Sequence, residues 1–108
     1  MNDALQHLYE TVLSRKAEHK EGSYTCYLFE KGLDKILKKC GEECSEVIIA
    51  AKNGDNAETV LEISDLLYHL TVLMVNEGIA LEDVRAELDR RHGKTGNLKK
   101  FHQVDKNT

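Results

Sequence analysis

The amino-acid sequence predicts an all-α protein, an antiparallel bundle of four to five helices. Three observations carry that prediction. The 108 residues include no proline, the residue most disruptive to a helix interior. Leu, Glu, Lys and Ala dominate, and all four are good helix formers. In two long stretches the apolar residues recur every three or four positions, the period of an α-helix. The length suits one small domain, expected over residues 1–91, followed by a basic, polar tail over 92–108.

Asp3 can cap a first helix that runs to about Lys16, with Leu5, Leu8, Val12 and Leu13 on its apolar face. The segment from Glu18 to Gly22 lacks apolar periodicity and reads as a loop. Ser23-Tyr24-Thr25 then offers capping hydroxyls before Cys26-Tyr27-Leu28-Phe29, a short apolar helical piece that Gly32 interrupts.

From Leu33 to about Lys52 runs the first long helix, with Ile36, Leu37, Cys40, Cys44, Val47, Ile48 and Ala51 continuing its apolar stripe. Asn53-Gly54 stops it, and Asp55 or Asn56 caps the next helix. So short a link makes the two helices antiparallel neighbours.

The second long helix is expected from about Ala57 to Asn76. Val60, Ile63, Leu66, Leu67, Leu70, Leu73 and Met74 fill one broad arc, while Leu61 and Val72 lie beyond Asp65. A helix apolar nearly all round is covered on more than one side. A chain this short buries only a modest fraction of its surface, so the expected cover is a second copy, and the bundle is completed by homodimerisation. Gly78 ends that helix, and Leu81 to Arg91 forms a last one with Val84 and Leu88 inward.

Fifteen Lys and Arg against nineteen Asp and Glu give a net charge of −4, which offers no footprint for nucleic acid. No apolar stretch approaches membrane-spanning length, and the first residues lack the pattern of a secretory signal. Three cysteines are an odd count, and the expectation is reduced thiols in a cytoplasmic protein. Cys40 and Cys44 lie on the apolar stripe without further ligands spaced to complete a soft-metal site, so core packing is their expected role.

Chemistry concentrates in two acidic clusters, Glu42-Glu43-Cys44-Ser45-Glu46 and Glu62-Ile63-Ser64-Asp65. Glu43 with Glu46, and Glu62 with Asp65, stand at i,i+3, on one face of their helices. The commonest fate of a helical glutamate is solvated surface charge. Here the pairs border or interrupt apolar surface, and Asp65 is a poor mid-helix residue. Charges in such places are normally paired or bound to metal. Oxygen ligands without a histidine–thiolate set favour Mg²⁺, with Mn²⁺ as a substitute.

Lys35, Lys38 and Lys39 precede the first acidic cluster by about one turn. Ion pairs from Lys38 to Glu42 and from Lys39 to Glu43 would run in the weaker orientation, and lysines near a helix start oppose its dipole. Phosphate oxygens beside a metal would explain them equally well. One hydroxyl of Ser23, Tyr24 and Thr25 is expected to cap, and the others could donate to a ligand. His69, four residues beyond Asp65, reads as a supporting histidine rather than a catalytic base. Arg85, Arg90 and Arg91 read as surface charge, one of which could reach an anion.

Taken together, Ser23-Tyr24-Thr25, Leu28, Gly32, Lys35, Lys38-Lys39, Gly41-Glu42-Glu43, Glu46 and Glu62-Ile63-Ser64-Asp65-Leu66-Leu67-Tyr68-His69 resemble the phosphoribosyl-ATP pyrophosphatase family of histidine biosynthesis. The acidic skeleton alone is similar to the wider MazG-like all-α nucleoside-triphosphate pyrophosphatases. The resemblance covers Leu5 to about Arg91. It implies a homodimer, dependence on Mg²⁺, a cytoplasmic setting, and hydrolysis of phosphoribosyl-ATP to phosphoribosyl-AMP and pyrophosphate. By the resemblance Glu43, Glu46, Glu62 and Asp65 would hold the metal, and Glu42 would be a ligand or a water-orienting base. Lys35, Lys38 and Lys39 would hold the polyphosphate, and Ser23-Tyr24-Thr25 would close over the ligand. Many family members are fused to the cyclohydrolase that acts next; the expectation here is a free-standing enzyme. Two rival readings stand beside it: a MazG-like enzyme for other nucleoside triphosphates, and a non-enzymatic helical module.

Overall fold

Side chains cap the starts of three helices of this protein. In a computed structural model that describes residues 3–93, the carboxylate of Asp3 accepts from the Gln6 backbone N–H at 2.8 Å. The Ser23 hydroxyl accepts from Cys26 N–H at 3.1 Å, and the Asp55 carboxylate from Glu58 N–H at 3.0 Å. Each satisfies a donor that the first helical turn leaves without an internal partner. They open α1 (Ala4–Ala17), α2 (Tyr24–Lys31) and α4 (Asn56–Asn76); α3 (Leu33–Lys52) and α5 (Leu81–His92) complete the order. Among the described residues there is no strand, so the fold is all-α as expected. α5 runs one residue past the expected boundary at 91, and the remainder of the expected tail, from residue 94, lies outside the described residues.

α3 and α4 form an antiparallel hairpin, the principal packing pair of the chain. Its link is set by Gly54, whose φ of 74° lies in the left-handed region that a side chain disfavours. Gly54 N–H donates to Ala51 O at 3.0 Å and Asp55 N–H to Ala50 O at 3.3 Å, which satisfies carbonyls that α3 would otherwise leave open. Gly78, at φ 72°, closes α4 in the same way, with Ile79 N–H donating to Met74 O at 2.8 Å.

α1 and α2 lie against this hairpin. Val12, Leu28, Ile36, Val72 and Val75, from four helices, form the buried core, with Leu8, Tyr9, Phe29, Cys40, Tyr68 and Leu73 packed around it. Complete burial of a side chain such as Leu28 contributes about 1.5–3 kcal/mol. α5 is fastened at its start. Leu81 is buried, and the Tyr9 hydroxyl donates to Ile79 O at 2.7 Å.

Three expectations about burial need correction. Val84 and Leu88 do not face inward; Leu88 is 61% exposed, because Leu81 and the half-buried Arg85 supply the face that α5 turns to the chain. Cys44 is exposed rather than in the core, although Cys40 does pack against it. It belongs to an outer apolar row on α3 with Leu33, Leu37 and Ile48, which no helix among the described residues covers. α4 carries a matching exposed row of Val60, Ile63 and Leu67.

Candidate active site

The α3–α4 hairpin brings the two acidic clusters face to face. One carboxylate oxygen from each of Glu43, Glu62 and Asp65 lies within 4.8 Å of the other two. Glu43 and Glu62 are half-buried, and Asp65 is exposed. Glu46 faces Glu62 from α3 within hydrogen-bonding reach. Burial, a hydrogen bond with Glu58 and the charge of Glu46 together raise the Glu62 carboxyl to about pKa 7. Glu62 therefore holds its proton up to a higher pH than an ordinary glutamate. The donor set is hard oxygen throughout, which suits a small divalent ion such as Mg²⁺.

Glu42 stands outside that group. Its carboxylate lies 3.3 Å from the Lys39 ammonium, which also approaches Glu43 at 3.9 Å. Lys39 is half-buried. Burial is the largest single influence and works against its charge, but the hydrogen bond to Glu42 and the charges of Tyr24, Glu42 and Glu43 together outweigh it and the net shift is upward, so the ammonium stays charged beside the acids. Lys35 is half-buried one turn before Lys39, whereas Lys38 is exposed and has no ion pair among the described residues. The lysine pairing thus differs from the simple i,i+4 scheme: one lysine serves both glutamates.

The Ser-Tyr-Thr segment meets α4 just beyond the acids. The Tyr24 hydroxyl lies 3.0 Å from His69 Nε2, and the Thr25 hydroxyl bonds the Tyr68 hydroxyl. Burial is the leading cause that pushes both tyrosine hydroxyls up from their ordinary values. His69 is buried, and its Nδ1 lies 2.8 Å from the Asp65 backbone carbonyl. Ser23 is the capping hydroxyl. Each of the three hydroxyls is therefore engaged within the protein, and Tyr24 leaves much of its ring exposed.

Arg85 reaches Asp3, and Arg90 and Arg91 reach Glu87, so the partners of these arginines lie on α5 and before α1. Burial raises the Cys40 thiol, which disfavours the thiolate that soft-metal binding needs. Sequence reasoning passed over Glu58, whose spacing of four from Glu62 was the available signal. It also passed over the cross-pairing of Tyr24-Thr25 with Tyr68-His69, for which no local signal exists.

Fold and site define an all-α protein with a carboxylate centre suited to a divalent cation. The chain belongs to the phosphoribosyl-ATP pyrophosphohydrolase family, whose model matches residues 5–92. It is 53% identical over 97 residues to the phosphoribosyl-ATP pyrophosphatase of Clostridium novyi (strain NT), covering 90% of this chain and 88% of that protein. It is 55% identical over 101 residues to the phosphoribosyl-ATP pyrophosphatase of Listeria welshimeri, covering 94% of this chain and 97% of the relative. It is also 65% identical over 83 residues to the histidine biosynthesis bifunctional protein HisIE of Thermoanaerobacter pseudethanolicus, 77% of this chain and 38% of that longer protein.

Proposed function

We propose that this protein hydrolyses phosphoribosyl-ATP to phosphoribosyl-AMP and pyrophosphate, the second step of histidine biosynthesis, with Mg²⁺ as its cofactor. One observation carries the reading: in a chain of this family, Glu43, Glu62 and Asp65 converge on a volume the size of one cation. Glu43, Glu46, Glu62 and Asp65 would hold the ion, with Mn²⁺ as a substitute. Bound there, Mg²⁺ would neutralise charge on the phosphate oxygens and acidify a water.

Lys35, Lys38 and Lys39 bind the polyphosphate, and the half-buried Lys39 does so where water screens it least. Glu42 or Glu43 orients the attacking water and accepts its proton. The water oxygen adds to the α-phosphorus in line, the bond to the β-phosphate oxygen breaks, and pyrophosphate departs. No covalent enzyme intermediate is needed. Ser23, Tyr24 and Thr25 border the ligand.

The reading includes a homodimer, supported by the apolar rows Leu33-Leu37-Cys44-Ile48 on α3 and Val60-Ile63-Leu67 on α4. It places the enzyme in the cytoplasm; no described helix is long and apolar enough to cross a membrane. The net charge of −4 supports a small nucleotide rather than a nucleic-acid ligand.

Pyrophosphate release from phosphoribosyl-ATP, with Mg²⁺ and with a chelator, tests the proposal. Turnover is expected only with metal, and far faster than on dUTP or the common nucleoside triphosphates. Faster release from another triphosphate would sink the substrate assignment.

A further inference from the structure

We propose that His69 is a positioning residue. With Tyr24, and with the Thr25–Tyr68 pair beside it, His69 latches the first turn of α2 onto the carboxylate helix as a preformed wall of the substrate site. The proposal rests on the functional reading above and goes beyond it. In that reading the Ser-Tyr-Thr segment borders the ligand; here it is already docked before ligand arrives.

The two ring nitrogens of His69 face different partners. The Asp65 carbonyl oxygen can only accept, so Nδ1, at 2.8 Å, must donate. In the neutral ring Nε2 then carries the lone pair, and the Tyr24 hydroxyl at 3.0 Å donates to it. A backbone carbonyl of the acid helix thus selects one tautomer, and that tautomer gives the Tyr24 bond one direction. His69 is 6% exposed, so both nitrogens are largely shielded from water.

Ring packing holds the same arrangement. Tyr24 and Tyr68 are stacked at 6.1 Å with an interplanar angle of 26°. His69 stands edge-on to both, at 5.8 Å from Tyr24 and 4.9 Å from Tyr68. Adjacent residues of α2 therefore meet adjacent residues of α4 through two hydrogen bonds and two ring contacts, which fixes angle as well as distance.

Tyr24 is also the point where the latch meets the charges. Lys39 and Glu43 both lie close enough to act on the acidity of its hydroxyl. Tyr24 remains 44% exposed, an open surface beside the phosphate-binding lysine. A segment that ordered only on binding would cost affinity for each residue immobilised; a latched one does not.

The test uses the full chain and phosphoribosyl-ATP with Mg²⁺. Tyr24→Phe and His69→Leu are each expected to raise KM about tenfold, the loss of one site-orienting hydrogen bond, with kcat changed far less. The double variant is expected to be no worse than the weaker single one, and His69→Gln, whose amide can both donate and accept, to recover most of the loss. Nitrogen-15 NMR of His69 is expected to show protonated Nδ1 and bare Nε2, with Nε2 moving further downfield in Tyr24→Phe. Tyr24→Phe keeps the ring and carries the kinetic test if His69→Leu does not fold. Unchanged KM in Tyr24→Phe, additive losses in the double variant, or a proton on Nε2 would each overturn the latch. A wild-type protein without turnover overturns the functional reading instead, and the tautomer then decides the latch alone.

Discussion

The guanidinium of Arg85 on α5 lies 3.2 Å from the carboxylate of Asp3, the residue that caps α1. One carboxylate thereby starts the first helix and holds the last. The Gln6 N–H and then Arg85 keep the Asp3 carboxyl below its ordinary range. A carboxyl lowered in the folded state stabilises it above the unfolded value of 3.8, and that stability is lost as pH falls through the folded value. Asp3→Asn keeps a capping side chain but not the charge. At neutral pH it is expected to melt below wild type and to expose α5 to proteases, and the gap is expected to close in acid. An equal gap at both pH values would assign the effect to capping alone.

Glu62 has the opposite sign. Its carboxyl is raised from 4.5 to about 7, so across that window the folded, metal-free protein holds more protons than the unfolded chain. Stability without metal is therefore expected to fall as pH rises through that window. If Mg²⁺ binds the ionised nest, its stabilisation is expected to grow over the same range. Melting curves from about pH 5 to about pH 8, with chelator and with Mg²⁺, would show two lines that diverge upward in pH. Parallel lines would remove Glu62 from the ion site.

Asp65→Asn and Glu46→Gln are expected to reduce turnover at least about hundredfold, with weaker metal binding and nearly unchanged helicity. Each removes a charge from a crowded nest, so each metal-free variant is also expected to melt no lower than wild type. Full Mg²⁺-dependent activity in either one would refute the ligand assignment.

Ile48 is 67% exposed on α3 and Val60 is 62% exposed on α4. If a second copy covers these rows, Ile48→Glu with Val60→Glu is expected to leave a monomer by light scattering, with little change in helix content per chain. A wild-type protein that already runs as a monomer would end the dimer proposal.

Legibility in the sequence followed locality. Asp3, Ser23 and Asp55 announced helix starts because a cap is a local hydrogen bond, and Gly54 and Gly78 announced stops for the same reason. The i,i+3 spacing placed Glu62 and Asp65 on one face, and the short link folded that face against α3. Adjacent residues differ by about 100° around a helix. The pattern could not say that Glu43 turns into the nest while Glu42 turns to Lys39. Periodicity gives the direction of a side chain but not what covers it, so it points Cys44 and Leu88 at a core they do not enter. The Tyr24–His69 bond joins residues far apart in the chain and leaves no trace in either neighbourhood.

The three-residue turn at Asn53–Asp55 has a consequence for assembly in time. All four carboxylates belong to one helical hairpin, and its contacts close a loop of only three residues. Short loops close fastest, so the acids meet before α1 finds its place against α4. If a cation binds these carboxylates, it would meet them together on a half-finished protein. It would then act first as a folding nucleus and only afterwards as a reagent.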